Sequence, residues 1–164
     1  MITRTIAPHL DGRRHETAID RIDDPFAPVG RFAVPIEVVD ATTPYPVVAE
    51  LFRPEYVTSV AVCRADELGA VGLISRERYV ALSAGTLGYG RALLARRQIG
   101  EVVDWGPLAV PQTKPVVEVE GRAMARPESR RFDDVVVHGA VWQVVTVRAL
   151  VRALVDVVTT QWRA

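Results

Sequence analysis

Ser59-Val60-Ala61-Val62-Cys63-Arg64, Ala65-Asp66-Glu67-Leu68-Gly69, Ala70-Val71-Gly72-Leu73-Ile74 and Ser75-Arg76-Glu77-Arg78-Tyr79 follow one another without a break. The first block is apolar and rich in β-formers, which reads as a strand. The second is polar and ends in glycine, so it turns the chain. The third is a return strand. Ser75 stands where the apolar run gives way to charge, the place of a helix N-cap whose hydroxyl accepts from a free amide. Tyr79 and Leu82 are the expected apolar contacts of the helix that follows.

Reading outward towards the N-terminus, Ile36 to Val39 is a short apolar strand that runs into Asp40-Ala41-Thr42-Thr43-Pro44. Thr43 is expected to cap a helix at Pro44, which has no amide to leave unpaired. Val47, Val48, Leu51 and Phe52 then recur at the helical period, and Pro54 stops the helix. The order is β-α-β-β-α.

The same order returns about seventy residues later. Leu108 to Val110 is a strand, and Pro111-Gln112-Thr113-Lys114-Pro115 repeats the helix start. Val116, Val119, Ala123 and Met124 form a helix face that Arg126-Pro127 ends. Asp134 to Val137 and Val141 to Val145 flank the turn His138-Gly139, and Thr146 caps a last helix running towards Trp162. Two such units, each too small to cover its own sheet, are expected to close face to face. The fold class is therefore α/β of the α+β kind: two pseudo-symmetric β-α-β-β-α units packed sheet to sheet.

Residues 1–33 carry dense charge without periodicity and read as an arm. It is either extended and partly disordered or laid across the fold or a partner, with Ile19, Ile22, Phe26 and Phe32 as candidate anchors. The first unit is expected over 34–97 and the second over 98–164. Gly85-Thr86-Leu87-Gly88-Tyr89-Gly90 breaks the chain between the copies. It lacks the Lys-Ser/Thr of a phosphate loop and follows a helix, so it reads as a linker. A short helix from Ile99 to Val103 is expected to lead into the second unit's first strand.

The 164-residue chain has 20 basic and 20 acidic residues, a balance that argues against general binding of nucleic-acid polymers. It is 49% hydrophobic and 24% charged, enough for both a core and a wetted surface. Cys63 is the only cysteine, so an internal disulfide is impossible. No stretch has a signal peptide's apolar core or a membrane span's length. The expected location is the cytoplasm.

The chain resembles a tandem pair of CBS domains, a Bateman module. The resemblance rests on Val71-Gly72-Leu73-Ile74-Ser75-Arg76, on Asp133-Asp134-Val135-Val136-Val137 and on Val144-Val145-Thr146-Val147-Arg148. Leu87-Gly88-Tyr89-Gly90-Arg91-Ala92-Leu93 with Arg96-Arg97 is similar to CBS pairs of bacterial signalling proteins, some joined to diguanylate cyclase domains. The resemblance implies sensing of an adenosine-type ligand in the clefts between units, and pairing of chains into flat discs of four units. Its fingerprint is a glycine on the second hairpin strand, a strand-end Ser or Thr, and an Asp three residues on that accepts from the ribose hydroxyls. Here Gly72 and Ser75 match, but Arg78 stands at the Asp position. In the second copy Gln143 replaces the glycine, Thr146 matches, and Ala149 stands at the Asp position. Arginine has donors only and cannot take the acceptor role.

The candidate ligand-binding residues are Ser75, Arg76, Arg78, Thr146 and Arg148, as phosphate contacts or an anion-binding cluster. Helix capping by the two hydroxyls and solvation of the arginines are the alternatives. No catalytic constellation is present: Cys63 reads as a small buried residue, His9, His15 and His138 lack metal-ligand spacing, and the pairs Asp23-Asp24 and Asp133-Asp134 have no accompanying nucleophile. Asp133-Asp134 precedes a strand and is expected to cap or to pair with Arg130 or Arg131. The last helix carries a broad stripe, Leu150, Ala153, Leu154, Val157, Val158 and Trp162, part of which is assigned to a homodimer interface.

The reading is a regulatory ligand-sensing module, not an enzyme, with no cofactor beyond a possible nucleotide and with an effector protein as its regulated partner. The alternatives are a non-binding scaffold or dimerisation module, or the sensor fragment of a longer signalling protein.

Overall fold

The computed structural model describes residues 24–67, 69–85 and 88–161. Its strands are β1 (Val34–Pro35), β2 (Glu37–Asp40), β3 (Ser59–Cys63), β4 (Val71–Ser75), β5 (Ala109–Pro111), β6 (Val135–His138) and β7 (Trp142–Val145). Its helices are α1 (Tyr45–Leu51), α2 (Arg76–Ala84), α3 (Gly90–Leu94), α4 (Val116–Met124) and α5 (Val147–Gln161). The two copies of the expected unit are β2-α1-β3-β4-α2 and β5-α4-β6-β7-α5. They make a three-stranded sheet ordered β2-β3-β4 and a four-stranded sheet ordered β1-β7-β6-β5. In each, a parallel pair joined through a helix is followed by an antiparallel hairpin.

The central strands explain the architecture. Val60, Ala61 and Val62 are all fully buried, as are Val135, Val136 and Val137. Side chains alternate along a strand, so an unbroken buried run needs cover on both faces. Val60 and Val62 pack under α1 and α2 with Tyr45, Val48 and Tyr79. Val135 and Val137 pack under α4 and α5 with Val116, Val119 and Leu150. The middle residues, Ala61 and Val136, turn the other way and meet with Val71 and Leu73 in the seam between the sheets.

The cores do not follow chain order. Val29, which precedes the first unit, is fully buried in the core of β5-β6-β7, α4 and α5. Ile99 and Val103, which precede the second unit, are buried in the core of β2-β3-β4, α1 and α2. The attachment is the same in both places. Val29 and Gly30 donate their amides to Lys114 and Gln112 carbonyls at 2.8 Å each, while Ile99 and Gly100 donate to Thr43 and Ala41 at 2.8 and 2.9 Å. The segment then extends the sheet it has joined. Val34 pairs with Val144, and Asp104 bridges to Leu73. The expected short helix Ile99 to Val103 is a 3-10 turn over Ile99–Glu101 inside this attachment.

The crossing segments also change how the helices begin. Neither Thr43 nor Thr113 caps a helix; Pro44 and Pro115 occupy the N-cap positions without side-chain bonds. The free amides of Tyr45 and Val116 are taken by the carbonyls of Arg97 and Ala27, at 2.9 and 3.0 Å. Backbone from the crossing segment does the work expected of a hydroxyl.

Of the candidate arm anchors, Phe32 packs partly against the second core. Phe26 is 70% exposed, and Ala27 and Val29 are the buried residues instead. Ile19 and Ile22 lie outside the described residues. On α1 the buried positions are Tyr45 and Val48, with Phe52 beyond its end, while Val47 is half exposed. Tyr45 and Tyr79 stack at 4.5 Å and each donates its hydroxyl to the other's carbonyl, tying α1 to α2. No helix among the described residues is long and apolar enough to cross a membrane.

Candidate functional site

The seam between the sheets is apolar until it reaches the strand ends, where polar groups gather. Thr58 precedes β3 and Ser59 opens it, and Asp133 and Asp134 stand at the matching place before β6. Asp134 is buried, and its Oδ2 accepts from Thr58 Oγ1 at 2.7 Å and from Ser59 Oγ at 2.6 Å. These bonds join one unit to the other through equivalent positions of the repeat. Burial pushes the Asp134 carboxyl above the usual aspartate value, against the two hydroxyls, which favour its charge.

Beside this junction a small cleft with a volume of about 50 Å³ lies between the units. Ser75 and Arg78 line it from the first unit, and Arg126, Arg130, Asp133 and Asp134 from the second. Ser75 ends β4, and its Oγ accepts from the Arg78 amide at 3.1 Å, so the expected cap is formed. Three arginines face three carboxylates in this cleft, because Asp104 lines it too.

The arginines are not equivalent. Arg126 donates to the Ala123, Arg131 and Asp133 carbonyls at 3.2, 3.1 and 2.7 Å, and burial lowers its pKa. Arg130 is held by the Asp104 carboxylate and by the Gly106 carbonyl at 2.8 Å. Arg78 is exposed, and its guanidinium has no partner among the described residues. It is the cation of the cleft with donors to spare.

The structure separates the five candidate residues. Ser75 and Arg78 come together in the cleft; Arg76, Thr146 and Arg148 do not line it. The Arg76 guanidinium donates to the carbonyls of Pro54 and Val57 and lies 5.4 Å from the centre of the Phe52 ring. It fastens the chain leaving α1 to the start of α2. Thr146 caps α5 by accepting from the Ala149 amide at 3.1 Å, and Arg148 is exposed.

Of the pair Asp133-Asp134, Asp133 makes the expected ion pair with Arg130, while Asp134 accepts from Thr58 and Ser59 across the seam instead. Asp133 is 3.8 Å from Arg130, and burial raises its pKa. Thr58 and Ser59 were not among the sequence candidates. Setting the two copies side by side would have placed them opposite Asp133 and Asp134.

Burial raises the Cys63 thiol, which disfavours the reactive thiolate. Among the described residues no group of three or more His, Cys, Asp or Glu is placed to hold a metal ion.

No family model matches the chain. Nor does any curated protein. Solved structures do. The CBS-pair protein CBSX2 from Arabidopsis thaliana is 22% identical with a TM-score of 0.62, over 81% of this chain and 97% of that one. The fold is that of a tandem CBS pair. CBSX2 in complex with AMP aligns at 20% identity and a TM-score of 0.59, over 80% of this chain and 98% of that one. A CBS-domain containing protein from Agrobacterium tumefaciens aligns at 16% and 0.58, over 79% of this chain and 94% of that one. The chain thus shares its path with these structures at 16–22% identity.

Proposed function

We propose that this CBS pair is a regulatory module that takes a small anionic ligand of the nucleotide class in the cleft between its units. The observation that carries the reading is the pairing of the Ser75-capped start of α2 with the unengaged Arg78 on a wall that faces residues of the other unit. A capped helix start and a free guanidinium suit phosphate. The complex of CBSX2 with AMP supports a nucleotide in such a fold. A ligand touching both units shifts their arrangement by its difference in affinity for the two arrangements, and an effector protein would read that shift.

Titration calorimetry with AMP, ATP, S-adenosylmethionine and cyclic dinucleotides tests this. Saturable binding by one of them is expected, with Arg78→Gln weakening it about tenfold through loss of one charge-assisted contact. Absence of binding by all four would sink the reading.

A second reading, a dimerisation scaffold without ligand, draws on the pinned state of Arg126 and Arg130 and on Arg78 and Ala149 at the fingerprint's acidic positions. In either reading the partner proposed for α5 is a second copy of the chain. Val151, Val155 and Val158 on this helix are 43, 56 and 55% exposed.

A further inference from the structure

We infer that the ion pair between Arg130 and Asp104 is a latch that holds the cleft shut, and that a ligand enters only when this pair parts. The inference rests on the nucleotide reading above and names the regulation of that site. The closed cleft has a volume of about 50 Å³, room for a water or two. A site for a nucleotide-sized molecule takes about 300 Å³ or more. The walls must therefore move apart, and the bonds that cross between them set how readily they do.

The latch joins one unit to the other. Asp104 rides on the first sheet: its amide and carbonyl bond to the Leu73 carbonyl and amide at 3.2 and 2.9 Å. Its Oδ1 accepts from the Gly106 amide at 2.9 Å, which leaves Oδ2 for Arg130. Arg130 ends the turn between α4 and β6 of the second unit and also donates to the Gly106 carbonyl at 2.8 Å. The pairs Arg53–Glu50, Arg64–Glu67, Arg97–Glu101 and Lys114–Glu118 join residues three or four apart, whereas Arg130 reaches Asp104 across 26 positions.

Two features let the latch open. Both side chains are partly exposed, at 38 and 40%, and an ion pair so placed contributes little, so it biases the cleft towards closure without locking it. Arg130 also has a second carboxylate at hand. Asp133, on its own unit, stands 3.8 Å from its Nε. On opening, Arg130 exchanges a partner across the cleft for one on its own side and is never left without a counter-charge. The bonds of Thr58 and Ser59 to the buried Asp134 hold the units together meanwhile.

The test is titration calorimetry on the full chain with the four nucleotides named above, comparing wild type, Asp104→Asn and Asp133→Asn. Asp104→Asn keeps an oxygen for the Gly106 amide and breaks the latch, so the tightest binder of the four should bind about three- to fivefold more tightly. Asp133→Asn removes the same charge from the same cleft but takes away the partner of the open state, so it should leave affinity unchanged or lower it. Equal gains in the two variants overturn the latch, since repulsion between the carboxylates and the ligand would then explain both. No gain in Asp104→Asn also overturns it and leaves the nucleotide reading standing. Absence of binding of all four by wild type and Asp104→Asn alike overturns both. Stopped-flow mixing adds a second readout: the gain in Asp104→Asn should lie in the association rate, because the latch acts before the ligand enters. A gain confined to slower dissociation overturns the inference.

Discussion

Arg76 and Arg78 stand two residues apart on the same helical turn, yet Arg76 is bound to the chain and Arg78 is exposed. A polar run such as Ser75-Arg76-Glu77-Arg78 says that both guanidinium groups sit near a helix start, so both qualify as anion contacts. What decides between them is the path of the chain leaving α1. It leaves the Pro54 and Val57 carbonyls facing Arg76, which takes both. Those carbonyls have no signature in the sequence, because any residue supplies one. Arg76→Ala should therefore cost about 2 kcal/mol, since it strands half-buried acceptors. Arg76→Lys should recover only part of that loss, because an ammonium cannot span two carbonyls as a planar fork does. Urea denaturation measures both, and AMP affinity should not change. Weakened AMP binding with intact stability would return Arg76 to the ligand site.

At the scale of elements, the duplicated β-α-β-β-α order was legible because each strand and helix start leaves a local mark: Pro44 and Pro115, Ser75 and Thr146, and the valine runs of β3 and β6. The exchange of segments between the cores was not, because it depends on which sheet a short stretch joins, and length and polarity do not encode that. One local sign exists. Val29-Gly30-Arg31-Phe32 and Ile99-Gly100-Glu101-Val102 share the order apolar, glycine, charged, apolar. The glycines have a steric reason. A Cβ on Gly100 would lie 2.8 Å from the Ala41 Cβ and 2.9 Å from its carbonyl oxygen, and one on Gly30 would lie 2.9 Å from the Gln112 Cβ. Backbone approaches backbone too closely at both turns for a side chain. Gly100→Val should destabilise the protein by about 3 kcal/mol by forcing the crossing segment off the turn between β2 and α1. Gly121→Ala is the contrasting case: it lies inside α4 with nothing within 4 Å of the added carbon. That variant should gain about 0.5–1 kcal/mol from helix propensity. Thermal or chemical denaturation of the two variants separates a glycine required by contact from one that is merely tolerated.

At the scale of the whole molecule, the inner and outer faces of α5 pose different problems. Val147, Leu150 and Ala153 are buried against the second core, so the first part of the stripe read from the sequence is spent inside the chain. Leu154 packs only partly, and the Val157 side chain and Trp162 lie outside the described residues. The outer face keeps Val151, Val155 and Val158, which share one side of the helix by their spacing of four and three residues. On α2, the equivalent helix of the first unit, Val80 is 59% exposed, and Leu93 on neighbouring α3 is 75% exposed. Val80 and Val151 stand at equivalent places, five residues after Ser75 and Thr146, which suits a partner with the same internal symmetry, as a second copy of the chain has. Isolated exposed valines need no explanation, whereas a row of three on one face of α5 does. Sedimentation equilibrium should therefore find a dimer, and Val155→Glu with Val158→Glu should convert it to a monomer with the same circular dichroism. The result also bears on sensing. In a dimer held through α2 and α5, both helices whose starts carry Ser75 and Thr146 would touch the partner, so a ligand at Ser75 would act on the interface through one rigid helix. AMP should then change the dimer's dissociation constant in wild type and leave it unchanged in Arg78→Gln. A wild-type chain that sediments as a monomer with and without AMP would rule out this route from cleft to partner.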